Sequence, residues 1–281
     1  INDRMDELLK GHPYVKSAID MACWDILGKY TGLPVYELLG GMRQEKVKLF
    51  KVISRQDADS MAIKIREYQD QGFFQFQMKV GAGADDDIER IIKVSAELRP
   101  GSVLGADANT GWRQHEAIRV VKAVRDIDVY IEQPCLSYEE CLAVRQHCDN
   151  PMILDECIDS IGVLMRGYQD NAMDVINLKI NRVGGLTKAR QFRDLCIMMG
   201  ITMTIEDSWG GDIATAAIAH LAHSLPKEFH FQSSAFHEYT NVQIAKGGPI
   251  IRDGYMEMSD HPGLGVEPNM AVLGDPVYIA S

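Results

Sequence analysis

The chain has 281 residues, 46% hydrophobic and 25% charged, enough for a globular enzyme with one large core. Its formal net charge of −11 at pH 7 argues against nucleic acid as a partner, because phosphates demand a basic face. No basic run, signal peptide or apolar stretch of about 18 residues is visible, so no membrane partner is expected.

The first 46 residues differ from the rest. HPYVKSAIDMACWDILGKYTGLPVYELLGG carries an amphipathic helical pattern, a Gly-Leu-Pro turn and a short helix closing at Gly40-Gly41. This stretch has the character of the tail of a preceding domain, and the sequence starts at Ile1 rather than Met. From residue 47 a strand-then-helix unit repeats roughly every 22 to 29 residues. The apolar runs VKLFKVI (47–53), FFQFQMKV (73–80), SVLGADAN (102–109) and VYIEQP (129–134) are expected to be buried parallel strands. So are MILDE (152–156), DVINLKIN (174–181), ITMTIED (201–207) and FHFQSSA (229–235). Between them, DADSMAIKIREYQDQG predicts a helix stopped at Gly72, the run Asp85 to Arg99 one stopped at Pro100, and GGLTKARQFRDLCIMMG one stopped at Gly200.

Eight strands alternating with helices mean a closed parallel barrel or a doubly wound sheet. Neither GxGxxG nor a P-loop is present, which disfavours the nucleotide-binding sheet. The expected fold is α/β, a TIM-like (β/α)7β barrel, and about 250 residues of barrel would use nearly the whole chain. The expected organisation is 1–46 as the last helices of a capping domain and hinge, and 47–240 as the catalytic barrel. The turn-rich segment 241–281 is expected to pack back on the capping region.

Barrel enzymes build their active sites at the C-terminal ends of the strands. Lys79 (FQMKVG), Asp107 (VLGADAN), Glu132 (VYIEQP), Asp155 (MILDE) and Lys179 (INLKIN) all sit at such ends, one after another. Asp107, Glu132 and Asp155 present three carboxylates from neighbouring strands, an oxygen set that suits Mg²⁺ with positions left for water and substrate. Cys and His, which would suggest zinc, are absent from these positions. A single strand-end acid is usually solvated or ion-paired; a matched trio is hard to explain that way. Asn109, two positions past Asp107, is expected on the same strand face and could assist.

Lys79 and Lys179 end the strands before and after the three acids. A neutral lysine abstracts a proton and a charged one donates it. An unperturbed lysine titrates near 10.4, an efficient base near 7–8, and that gap is worth about 4 kcal/mol. A divalent cation among three carboxylates leaves net charge −1 and favours the ammonium, so burial and the second lysine must push the other way. Gln77 and Asn177 each lie two positions before a lysine and share its face. Glu206 and Asp207 end the seventh barrel strand, where one could bind a substrate ammonium or orient Lys179; Trp209 could wall the pocket or simply pack. His237 has the weaker claim of a loop histidine, and Trp24 is expected in the core. Six cysteines without CxxC spacing suit reduced thiols of a cytoplasmic protein.

Other classes fit less well. A barrel metal hydrolase would need histidines such as HxH on the first strand, and LFKVI has none. A non-catalytic barrel binding protein would explain the fold but not two lysines flanking three acids.

These residues resemble the enolase superfamily, in its mandelate racemase and muconate lactonizing enzyme branch. SAIDMACWDILGKYTGLPVYELLGG is similar to the family's hinge between capping domain and barrel, and ADANTGW, IEQP, LDE and NLKINRVGGLTKA to its metal and base motifs. The resemblance spans essentially the whole chain. It implies Mg²⁺ on Asp107, Glu132 and Asp155, and Lys79 and Lys179 as the acid/base pair at a carbon next to a carboxylate. Enzymes of this kind pair a Lys or His base with magnesium and an ene-diolate. Two departures stand out. Gln77-Met78-Lys79 replaces the Lys-x-Lys usual on the lysine branch, and most of the family's N-terminal α+β capping domain is missing from the sequence. EDSWGGDIATAAIAHLA is similar to enzymes acting on proline-like amino acids, including cis-3-hydroxy-L-proline dehydratases and epimerases of hydroxyproline betaine. The implied activity is dehydration of such a small-molecule carboxylate, the alternative its racemisation or 2-epimerisation. The family habit is a symmetric homo-oligomer.

Overall fold

The computed structural model describes residues 1–279; the last two positions of the expected C-terminal segment 241–281 lie outside the described residues. Three helices open the chain: α1 (Asn2–Leu8), α2 (Pro13–Thr31) and α3 (Val35–Leu38). A two-residue strand, β1 (Val47–Lys48), follows. The barrel strands are β2 (Phe50–Ile53), β3 (Gln75–Lys79), β4 (Val103–Asp107), β5 (Tyr130–Glu132), β6 (Met152–Leu154), β7 (Val175–Lys179), β8 (Thr202–Glu206) and β9 (His230–Ser233). These eight form one sheet in chain order, and the registered pairs from β2 to β7 are parallel. The fold is the expected α/β barrel.

One expected strand is divided. The run 47–53 gives β1, which belongs to a separate three-stranded sheet, and then β2. Val47, Leu49, Phe50 and Ile53 are all buried, and an apolar run buried throughout carries no alternation to say which sheet it joins.

The intervening helices begin and end for local reasons. α4 (Ala58–Asp70) starts where the Asp57 side chain accepts the Ser60 amide at 2.9 Å, and the chain leaves it through Gly72 at φ +88°. α5 (Ala84–Ser95) ends four residues before the expected Arg99, in a turn closed by the Leu98 amide on the Ser95 carbonyl. α6 (Gln114–Ala123) follows β4. α7 (Tyr138–Arg145) carries a capping box between Ser137 and Glu140. α8 (Ile161–Gln169), α9 (Ile180–Val183), α10 (Leu186–Met199) and α11 (Asp212–His223) complete the repeat.

Alternation sorts the strands chemically. Phe76, Met78, Leu104, Ala106, Ile131, Met152, Leu154, Ile176 and Leu178 share one face and are at most 1% exposed. The other face carries Gln77, Lys79, Asp107, Glu132, Asn177 and Lys179 at its C-terminal end. The apolar face stabilises the sheet by roughly 25 cal/mol per Å² buried. The polar face is free for chemistry.

By its contacts the chain divides into two compact units, Ile1–Val47 with Lys179–Gln191 and Ile205–Ser281, and Lys48–Leu178 with Phe192–Thr204. In the first, the Asp20 carboxylate accepts the Thr187 amide (2.9 Å), the Thr187 hydroxyl (2.6 Å) and the Asn2 amide group (2.7 Å). A Cβ on Gly185 (φ +121°) would stand 2.5 Å from Asp20, so only glycine lets the two segments meet. Trp24, expected in the core, is only partly buried: its indole N–H donates to Thr187 Oγ1 at 2.9 Å, a polar anchor that an apolar-period reading overlooks. Among the described residues no helix is long and apolar enough to cross a membrane.

Candidate active site

Within the second unit the strand ends are in register. Lys79 is paired with Asp107, and Asp107 with Glu132. Glu132 is paired with Ile153, and Asp155 follows two positions on, one residue past the end of β6. The three carboxylates are at most 1% exposed.

Each has partners. Lys79 Nζ lies 2.5 Å from Asp107 Oδ2, and Asp107 Oδ1 accepts the Asn109 amide at 2.8 Å. Gln77 Nε2 donates to both oxygens of Glu132, at 3.0 and 2.9 Å, and Asn177 Nδ2 donates to Oε1 at 2.5 Å. The two residues expected beside the lysines therefore converge on the middle acid. Gly105, on the same face, borders this acid: a Cβ there would lie 3.8 Å from Glu132 Oε2, an ordinary contact.

Asn109 departs from expectation. β4 ends at Asp107, and Asn109 has φ +43°, so the two-residue alternation does not reach it. Its backbone holds Asp107, while its side chain donates to Glu156 Oε1 at 3.2 Å.

In the first unit, Lys179 Nζ lies 3.4 Å from Glu206 Oε1, both largely buried. Asp207 turns elsewhere, accepting the amides of Ser208 (2.7 Å) and Asn181 (3.3 Å). Burial pushes its carboxyl up to about 6, against those two amides and the nearby Lys179 and Arg182 charges. Glu206 is thus the acid beside the lysine. Trp209 is 62% exposed and its ring meets Phe236 and Tyr239 at 5.5 and 6.3 Å. His237 uses its backbone N–H on Thr215 Oγ1.

The donor chemistry fits a hard divalent cation: three buried carboxylates on neighbouring strand ends, with Asn177 Oδ1 buried beside them and without a hydrogen-bond partner. Among the described residues no three His, Cys, Asp or Glu side chains stand as a closed ligand group, and Asp107 is turned to Lys79.

Sequence reasoning passed over two residues here. Gln133 (0% exposed, φ +34°) accepts the Asp155 amide on Oε1 at 2.8 Å. Asp87, also 0% exposed, accepts the amides of Gly81, Ala82 and Gly83, the Trp112 indole and Arg90. Asp87 stands in an acidic helix start, where a solvated capping residue is the ordinary reading. At Gln133 the sequence offers its place directly after a strand-end acid and within IEQP, neither of which gives the side chain a role.

The chain is similar to known proteins along nearly its whole length. Residues 60–272 match the model of the enolase C-terminal domain-like family, and residues 2–40 that of the mandelate racemase / muconate lactonizing enzyme N-terminal domain. The chain is 56% identical over 277 residues to a cis-3-hydroxy-L-proline dehydratase of Roseibium aggregatum, covering 99% of this chain and 76% of that protein. It is 28% identical to an N-succinyl-L-Arg/Lys racemase of Bacillus cereus, covering 97% of this chain and 74% of that protein. A crystal structure of an enolase superfamily member from Roseovarius nubinhibens complexed with magnesium superposes with a TM-score of 0.93 at 40% identity, covering 99% of this chain and 76% of the other. The chain belongs to the enolase superfamily, in the branch of mandelate racemase and muconate lactonizing enzyme.

Proposed function

We propose that the protein removes the α-proton of a small carboxylate substrate with magnesium bound, and that its reaction is the dehydration of cis-3-hydroxy-L-proline. One observation carries the chemistry: buried carboxylates end β4 and β5 and directly follow β6, and the strands before and after these in the sheet, β3 and β7, end in lysine. The substrate rests on the 56% identity to a protein of that activity.

Asp107, Glu132 and Asp155 would hold Mg²⁺, which supplies positive charge for the substrate carboxylate and for the charge that grows on it. The remaining work belongs to the chain. Gln77 and Asn177, both on Glu132, keep that carboxylate in one orientation. One lysine takes the α-proton, and the C–H electron pair moves toward the carboxylate oxygens as an ene-diolate. That pair then forms the Cα–Cβ double bond as the Cβ–O bond breaks, and the hydroxyl leaves as water with a proton from a protonated acid. Lys79 and Lys179 are the candidates for base and acid. Glu206 orients Lys179 through their contact at 3.4 Å.

A second reading is favoured by the lysines themselves. With no β-hydroxyl to expel, a lysine on each side of the acids in sheet order suits removal of the proton on one face and its return on the other. That is racemisation or 2-epimerisation, the class of the Bacillus cereus relative.

The test uses the purified protein with Mg²⁺, first with cis-3-hydroxy-L-proline and then with proline and proline betaine in D2O. Water loss from the hydroxylated substrate supports the dehydratase. Inversion with deuterium gain at Cα in the others, without dehydration, supports the epimerase. Neither dehydration nor exchange, with magnesium binding demonstrated, would sink both readings.

A further inference from the structure

Asp155 lies beyond the last residue of β6, so the sheet hydrogen bonds that fix Asp107 and Glu132 at strand ends do not by themselves fix it. Gln133 closes that gap. Its backbone N–H donates to the Ile153 carbonyl of β6 at 3.0 Å, and its backbone carbonyl accepts from Thr110, in the loop that follows Asp107, at 3.0 Å. Its side-chain Oε1 accepts the Asp155 amide at 2.8 Å and lies 3.4 Å from the Cys157 thiol. Its Nε2 donates to the Cys135 carbonyl at 2.9 Å, which fixes the amide orientation, since a flipped group would face an N–H with an NH2. One residue, directly after Glu132, thus grips the segments that carry the other two acids.

The backbone supports a built feature. Gln133 is fully buried at φ +34°, a left-handed conformation unfavourable for a non-glycine residue. The hydrogen bonds above over-determine it.

We propose that Gln133 is the positioning residue of the three-carboxylate site: its side-chain oxygen, held on the Asp155 amide, sets where the Asp155 carboxylate stands relative to Asp107 and Glu132. The inference rests on the magnesium reading of those acids. Partners that orient metal ligands typically change affinity 10- to 100-fold when removed. The reach of the side chain matters more than its polarity, because one methylene fewer withdraws the oxygen from the amide.

Gln133→Asn tests this directly. Asparagine keeps the carboxamide, tolerates positive φ better than glutamine, and is too short to hold the Asp155 amide. Magnesium affinity is measured by calorimetry without substrate, and stability by thermal melting in chelator. Gln69→Asn is the control, another buried glutamine that clamps a loop, accepting from the Arg99 amide at 2.7 Å and donating to the Glu97 carbonyl at 3.0 Å, away from the acids. The expected result is a magnesium Kd raised about 10-fold or more in Gln133→Asn, with a fall in melting temperature no larger than that of the control. Gln69→Asn should melt lower with unchanged magnesium affinity. Gln133→Leu, which fills the buried space without the oxygen, should likewise raise the magnesium Kd about 10-fold or more, and it decides the matter if the asparagine variant does not fold. Parent-like magnesium affinity in Gln133→Asn, or in Gln133→Leu, would overturn the proposal. A parent protein that binds no magnesium would instead overturn the reading beneath it.

Discussion

Lys79 Nζ and Asp107 Oδ2 stand 2.5 Å apart at paired positions of adjacent parallel strands, with the lysine side chain 29% exposed and the aspartate 1%. The same carboxylate is offered to magnesium in the proposed mechanism, so ammonium and cation compete for it. Removing the lysine charge should therefore tighten magnesium binding while it destroys proton transfer. We expect Lys79→Met to lower the magnesium Kd by about 10-fold, equivalent to about 1.4 kcal/mol, by calorimetry. Asp107→Asn should weaken it by a larger factor. Weaker binding in Lys79→Met would show that the two charges cooperate rather than compete.

The two lysines can be separated by isotope exchange. Lys79→Ala and Lys179→Ala are each expected to lower turnover by at least about 10²-fold, the usual contribution of a positioned acid or base. Exchange of the substrate α-proton with D2O should vanish in the variant that lacks the base and persist in the variant that lacks the acid. Glu206→Gln should shift the pH profile of whichever step uses Lys179, because it removes the carboxylate 3.4 Å from that ammonium. Full-rate exchange in both alanine variants would defeat the assignment.

The barrel and the order of its chemical residues were legible because buried parallel strands are near-continuous apolar runs and because strand tips are where barrels place function. What escaped the sequence was side-chain direction beyond the strand ends. Asn109 breaks the alternation because the chain has already turned to φ +43°. Glu206 and Asp207 are adjacent acids with no sequence signal to separate them; the structure does so by giving Asp207 to the amides of Ser208 and Asn181. Gln133 stands within IEQP, but its role there is hidden for a related reason. A glutamine has no turn propensity, and its role depends on the length of its side chain and on a backbone conformation that tertiary hydrogen bonds impose.

Magnesium should stabilise the fold by linkage. A ligand at 100 times its Kd that binds only the native state adds about 2.7 kcal/mol. A melting temperature that rises with Mg²⁺ and returns on chelation is expected, and the rise should shrink in Asp155→Asn. An Asp155→Asn protein with the parent's magnesium response would place the cation elsewhere.

Two buried groups should oppose each other in acid. His220 is held neutral: burial pushes it down to about 4, and its Nδ1 accepts the Tyr36 amide at 3.2 Å, which protonation would abolish. Its folded value lies below the unfolded 6.5, so the unfolded chain binds more protons, and about 3 kcal/mol of stability is lost as pH falls from 6.5 to 4. Asp207 runs the other way. Its folded value of about 6 lies above the ordinary 3.8, so about 3 kcal/mol is lost as pH rises from 3.8 through 6. In the parent the two slopes nearly cancel between about pH 4 and 6. Asp207→Asn should therefore be more stable than the parent at pH 7 and lose stability steeply toward pH 4.5, by urea unfolding at the two values. Parallel pH curves for variant and parent would contradict the burial argument for Asp207.

Asp87 should be the most sensitive acid outside the proposed site. Its carboxylate is 0% exposed and accepts from the Gly81, Ala82 and Gly83 amides, the Trp112 indole and Arg90, tying the loop after Lys79 to the loop after Asp107. Those loops meet backbone to backbone: a Cβ on Gly81 would stand 2.3 Å from the Ala108 carbonyl oxygen, and one on Gly111 2.5 Å from that of Gly81. Asp87→Ala leaves buried donors and a guanidinium without their acceptor, a change that typically costs about 3–5 kcal/mol. Trp112→Phe removes a single donor and should cost about 1 kcal/mol through the lost hydrogen bond. Burial opposes ionisation of Asp87, but the Trp112, Gly83, Arg90 and Gly81 donors outweigh it and hold the carboxyl below its ordinary value. Its contribution is therefore present above pH 3.8 and lost as pH falls below that. Urea unfolding at pH 7 measures both variants. A cost under about 1 kcal/mol for Asp87→Ala would mean that the loops hold their shape by backbone contact alone.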